Sequence, residues 1–240
     1  MQKNFLFFSL SFLFFFSIKS LATENHTLKL ADSLFVIGQF QQAKEIYQVH
    51  AEKEKFVNPN ILLKLAYIYE KEGDYTQCLY NLSRVSKYEP TIALFEKMST
   101  MGEVHQLSGY DFNDFSYFVI YFKRYGFLVY FVLILFGFYI LTIMFLKSKL
   151  KERIRPVHRS FMTVYLIALL VVFNWTEFFH YGIIKDEPSF LRAYPSSASP
   201  AIKEFNKGHK VPVLMSIDQW QLIWWNNKFV FVREDALLLL

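Results

Sequence analysis

The sequence predicts a multi-domain membrane protein: an all-α repeat stack, a transmembrane helical hairpin and a C-terminal all-β barrel. Three observations predict it. Residues 127–146 carry no charge, and a second uncharged run opens at Ser160. A glycine–aromatic–small pattern occurs twice near the N-terminus, 35 residues apart. Beyond residue 189 the apolar spacing shortens to short β-rich runs.

The membrane segments come first because composition already demands them. At 240 residues, 53% hydrophobic and 20% aromatic is more apolar than a soluble domain of this size requires, and the 28 Phe concentrate in 5–16 and 112–179. Residues 127–146 suffice to cross a ~30 Å hydrocarbon core at about 1.5 Å per residue. The second segment is expected over 160–184, its far end marked by Trp175, Phe178, Phe179 and Tyr181 as an interfacial belt. Glu177 and His180 near that end suit an interfacial position or the seat of a partner helix.

Between the two runs lies KSKLKERIRPVHR, residues 147–159. It holds six of the 26 Lys and Arg residues against one of the 21 acids, so charges balance elsewhere and this loop supplies the formal net charge of +5. Short loops rich in Lys and Arg stay cytoplasmic. Residues 23–122 and 185–240 are then expected outside. The first 22 residues demand the same orientation: Lys3, an apolar run over 5–18 and the Ser20-Leu21-Ala22 end read as a signal peptide, an uncleaved anchor being the alternative. A basic chain with pI near 9.1 ordinarily suggests nucleic acid, but a surplus confined to one loop between apolar runs excludes that class.

Gly38-Gln-Phe40-Gln-Gln-Ala43 matches Gly73-Asp-Tyr75-Thr-Gln-Cys78. Around the second copy, Asn58 and Pro59 suit a helix start, Leu62, Leu65, Ala66 and Tyr69 share one face, and Gly73 suits a left-handed stop. Leu79, Leu82 and Val85 make the face of a partner helix. The first copy shows Leu30, Ala31, Leu34, Phe40, Ala43 and Tyr47. Residues 91–108 form a closing helix over the stack. The period and residues resemble the tetratricopeptide repeat family over about 24–108. Within 23–110 the resemblance implies a concave binding surface, lined in this register by Asp32, Phe35 and Val36, then Asn60, Leu63, Tyr67, Glu70 and Lys71. Cys78, the sole cysteine, takes the packed small position. Residues 111–126 are read as a juxtamembrane linker.

In 185–240, Val211, Val213 and Leu214, then Trp220, Leu222 and Trp224, then Phe229, Phe231 and Val232 mark strands, with Asn226-Asn227 as a tight hairpin turn. The order of these features, closing on Leu237, resembles the bacterial SH3 family, although Val230-Phe231-Val232 replaces its usual Gly-Trp-Val. Trp220 is read as core. Trp224 and Trp225 are neighbours, so one must face outward and is a candidate contact.

The domain order resembles the BatE family of the Bacteroides aerotolerance (Bat) operons. That resemblance implies a bacterial inner-membrane accessory protein acting with sister proteins that carry von Willebrand A domains; peptidoglycan is a further possible partner for the barrel. The six His are scattered without metal-ligand spacing, and no phosphate loop or hydrolase motif occurs. Neither metal nor cofactor is expected, and no enzymatic activity. Asn25-His-Thr, Asn81-Leu-Ser and Asn174-Trp-Thr fit the glycosylation sequon, a pattern common by chance.

Overall fold

The computed structural model of the chain describes residues 27–53, 58–150, 156–174, 180–185 and 189–240. The expected signal segment and the centre of the basic loop lie outside these residues, as do Trp175, Glu177, Phe178 and Phe179. The chain divides into two compact units, residues 1–88 and 89–240.

The first unit is helical. Helix α1 (27–36) is followed by α2 (Phe40–Lys53), α3 (Pro59–Glu72) and α4 (Tyr75–Tyr88). Helix α3 starts where the sequence asks: the Asn58 side chain accepts from the Asn60 N–H at 3.0 Å, and Pro59 fills the first turn. It stops at Gly73, φ +78°, whose N–H donates to the Glu70 carbonyl while Asp74 N–H donates to the Tyr69 carbonyl. Gly38, φ +82°, ends α1 by the same pair of bonds, to Phe35 and Leu34. One turn geometry is thus used twice, 35 residues apart. Ala43, Tyr47, Leu62, Leu65, Ala66, Tyr69, Cys78, Leu79, Leu82 and Val85 are all buried. Leu30, expected on the core face, is exposed; Ala31 beside it fills the buried position instead.

The second unit opens with α5 (Ile92–Val104), which groups with this unit rather than with α1–α4. Its Gly102 abuts Tyr110, and Phe95 meets Phe112 at 6.3 Å. Helix α6 (Asp114–Lys149) is 36 residues long, so most of the segment expected to be a linker is helical. Reciprocal bonds between Asn113 and Ser116 set that early start. Helix α7 spans Pro156–Asn174.

Two stretches, Arg124–Lys149 and Pro156–Phe173, contain 18-residue segments with mean hydropathies of 2.6 and 1.7, and are long and apolar enough to cross a membrane. Few of their side chains are buried by the protein itself, unlike the core helices of soluble proteins. They meet at Gly137, where a Cβ would come 3.0 Å from Tyr165, and the Tyr165 hydroxyl donates to the Leu133 carbonyl. Small residues admit this kind of close helix approach in lipid.

Among the described residues, seven strands follow: β1 (His180–Ile184), β2 (Ser189–Arg192), β3 (Ala201–Phe205), β4 (Lys210–Ile217), β5 (Trp220–Trp225), β6 (Lys228–Arg233) and β7 (Leu237–Leu239). They form one antiparallel sheet of order β3-β2-β6-β5-β4-β1-β7. Strands β4–β6 make a meander, and a single 3-10 turn at Glu234–Ala236 returns the chain to pair with β1. Asn226 and Asn227 both have positive φ, as a tight β5–β6 hairpin needs. The core holds Ile184, Leu191, Phe205, Val211, Val213, Ile223, Val230, Val232 and Leu237.

This sheet corrects the expected extent of the second membrane segment. Residues 180–184 are strand β1, not the end of a helix through Ile184. Ile183 and Ile184 gain burial in the sheet core, and Gly182 admits Leu237 at 3.3 Å from its Cβ position. Tyr181 therefore belongs to the sheet, where burial raises its hydroxyl pKa above the ordinary tyrosine value.

Candidate functional site

In the first unit, α1 brings Phe35 to its last turn and α3 places Leu63 and Tyr67 one turn apart on an exposed face. Phe40 opens α2 immediately after the Gly38 turn. The Phe35 ring meets Phe40 at 5.5 Å and Tyr67 at 5.6 Å, each edge to face, and Phe40 meets Tyr67 at 5.9 Å. Phe35, Val36, Phe40, Leu63, Lys64 and Tyr67 line an open groove of about 490 Å³. Rings already packed on one another have less freedom left to lose, so this groove offers apolar area at a reduced ordering cost.

Four of the residues expected on the concave surface therefore converge: Phe35, Val36, Leu63 and Tyr67. Lys71 stands beside them, its Nζ 5.6 Å from the centre of the Tyr67 ring. Asp32 does something else. Its carboxylate accepts from Tyr47 Oη at 2.5 Å and Lys64 Nζ at 2.6 Å, bracing α1 to α2 and α3. Burial alone would raise the Asp32 pKa, but these two hydrogen bonds and the Lys64 charge outweigh it and hold it below the usual carboxylate range. Burial, together with the same carboxylate, pushes the Tyr47 hydroxyl far above the ordinary tyrosine value. Asn60 and Glu70 lie on α3 outside the groove lining. Phe40 and Lys64 join the lining without having been expected there. Phe40 has a visible signal as the repeat aromatic, whereas Lys64 is only one of several helix lysines.

The sheet resolves the tryptophan pair. Trp225 packs against the core, its ring 4.5 Å from Phe205, while Trp224 points outward and meets Phe229 at 4.7 Å. Trp220 is buried, with the Arg192 guanidinium 6.0 Å from its ring.

A second cluster joins the segment before α6 to the turn before β4. Ser108 N–H donates to His209 Nδ1 at 3.0 Å, Lys210 N–H to the Ser108 carbonyl at 3.1 Å, and Tyr110 Oη to the Gly208 carbonyl at 2.8 Å. Gly109 sits between them with φ +89°, and a Cβ there would lie 2.2 Å from the Lys210 carbonyl oxygen. Only glycine fits that position.

Among the described residues, no group of three or more His, Cys, Asp or Glu side chains is arranged to hold a metal ion. A scan against protein-family models finds no match, and no curated protein matches the chain.

Proposed function

We propose that the chain is a membrane-anchored, non-enzymatic interaction protein that helps assemble a bacterial envelope complex through the groove of its helical unit. The observation that carries this reading is the cluster of half-buried Phe35 and Phe40 packed against exposed Tyr67, with Lys71 alongside. Aromatic area beside a cation is the composition of binding hot spots. On this reading the α1–α2 and α3–α4 pairs are tetratricopeptide repeats, supported by the repeated glycine turn. The sheet domain is an SH3-like barrel, supported by the β4–β6 meander and the 3-10 turn before the closing strand.

The proposed setting is the inner membrane, with α6 and α7 as a hairpin and both flanks periplasmic. Two supports exist beyond helix length. Lys147 and Lys149 end α6 next to the basic loop. The Ser108–His209 contact supports one side for the chain before α6 and the chain after α7, as an even number of crossings would give. A Bat-type role, with von Willebrand A domain partners, follows from the domain order alone.

The test is capture of membrane partners by the detergent-solubilised full chain. Tyr67→Ala with Lys71→Ala should abolish capture while the unit still folds, with at most a small drop in melting temperature from the lost ring contacts to Phe35 and Phe40. Trp224→Ala should weaken it less. The reverse pattern would move the function to the sheet. Purified cell wall is the control bait: a peptidoglycan site would rest on Trp224, whose neighbours on that face, Leu222 and Phe229, are apolar.

A further inference from the structure

We propose that the outer face of β4–β6 lies in the headgroup–acyl boundary of the same bilayer that α6 and α7 cross, so that lipid is its partner. The inference rests on the membrane-spanning reading of those helices.

The face is defined by strand register. Met215 pairs with Leu222 and Leu222 with Phe231, while Trp224 pairs with Phe229. Leu222, Trp224, Phe229 and Phe231 point away from the core residues Ile223 and Val230, because neighbouring positions on a strand alternate sides, and a register shift between Val213 and Met215 brings Met215 onto the side of its partner Leu222. Phe229 is 61% exposed, Met215 52% and Trp224 38%. A monomeric sheet normally carries polar side chains on its solvent face. Here none of the five is polar beyond the indole N–H. Arg233 ends the strip on the same side of β6, exposed and also pairing with Asp235 at 2.7 Å, while Lys228 opens that strand on the opposite side. Tryptophan and phenylalanine beside a cation is a composition that favours a membrane interface.

The location of the face is set by two short tethers. Helix α7 ends at Asn174 and β1 begins at His180, a link that spans no more than about 20 Å when fully extended. His180 pairs with Val213, Val213 with Ile223 and Ile223 with Val230. The row entering the sheet from the membrane helix thus runs directly across the patch. Met215, Leu222 and Phe231 lie on one side of that row, Trp224 and Phe229 on the other. The second tether is the Tyr110–Gly208 hydrogen bond, four positions before α6 begins at Asp114. A sheet held at both helix ends cannot leave the bilayer surface, and its apolar face gains most by meeting it.

Spin-label accessibility tests this on the full chain, in a Cys78→Ala background, reconstituted into phosphatidylcholine–phosphatidylglycerol vesicles. Labels are attached at Phe229→Cys, at Met215→Cys, at Glu204→Cys on exposed β3 and at Leu135→Cys in mid-α6. The Phe229 and Met215 sites should collide with dissolved oxygen severalfold more readily, relative to a water-soluble nickel chelate, than the Glu204 site. Preference for the nickel chelate at both face sites, with oxygen preferred at Leu135, would overturn the lipid contact while leaving the membrane hairpin standing. Protection of both face sites from both reagents would overturn it too, assigning the face to a protein, a second copy included. Nickel access at Leu135 would overturn the spanning reading and the lipid contact with it.

Discussion

Ser108 and His209 lie 101 residues apart in sequence and share one hydrogen-bonding nitrogen: the Ser108 N–H donates to His209 Nδ1, and Ser108 Oγ lies 2.8 Å from the same atom. A backbone N–H can only donate, so Nδ1 must be unprotonated and the ring proton of the neutral imidazole sits on Nε2. The ring itself is packed at 4.7 Å from Phe205 and 5.8 Å from Trp225.

That tautomer makes the contact sensitive to acid. Burial, and then the nearby Lys203 charge, hold the His209 pKa below its ordinary value. A depressed pKa means that the unfolded chain takes up the proton first. The contribution is therefore complete above about pH 6.5 and is lost as pH falls below it toward the lowered folded value. Amide exchange protection at Ser108 and Lys210 should drop across that window, and His209→Phe should flatten the dependence. Protection that stays constant as the pH is lowered through that window would remove His209 from this role.

Gly109 makes a stronger demand on the same contact. Gly109→Ala must place a Cβ 2.2 Å from the Lys210 carbonyl oxygen at φ +89°. Strained backbone alone costs about 1–3 kcal/mol, and the clash adds to it. The full chain in detergent should melt at lower temperature with the Ser108 and Lys210 amides unprotected. An unchanged melt with protected amides would mean that the two segments do not meet.

Gly73 gives the contrasting case. Its φ is +78°, yet nothing lies within 4 Å of a Cβ there, so only backbone conformation is at stake. Gly73→Val should destabilise the helical unit by about 1–3 kcal/mol, and Gly73→Asn by much less, since asparagine tolerates the left-handed region. Equal melting of the two variants would show that the turn is not held in that region.

Between α6 and α7, Gly137→Val should drive Tyr165 away from Leu133, because the added carbon would sit 3.0 Å from the Tyr165 ring. The stacked Tyr130 and Phe173, 4.7 Å apart, supply the readout. A Tyr130→Cys, Phe173→Cys pair in the Cys78→Ala background should be joined efficiently by a short bifunctional thiol reagent with Gly137 present and poorly once Gly137→Val is added. Equal cross-linking would separate the helix contact from Gly137.

Local features are legible in the sequence and distant ones are not. Asn58, Pro59 and Gly73 announce helix ends through their own backbone chemistry, and the 35-residue repeat of the Gly38 turn places Phe35, Leu63 and Tyr67 on related faces. Strand β1 escapes a sequence reading because His180–Ile184 continues an apolar run, and short apolar runs fit helix and buried strand alike. Its identity depends on Val211, Val213 and Leu237, which lie far along the chain. The helical start of α6 hides behind Lys123 and Arg124, charges that mark a membrane boundary but do not end a helix. The Ser108–His209 contact has no local signature apart from a glycine at 109.

The central claim is that α6 and α7 form a hairpin with both flanks on the outer face of the inner membrane. Alkaline phosphatase fusions test it most directly, because the enzyme folds only after export. Fusions after Ser108 and after Leu240 should be active, and a fusion at Lys151 in the basic loop should be inactive. An active Lys151 fusion, or an inactive one after Leu240, would contradict the account.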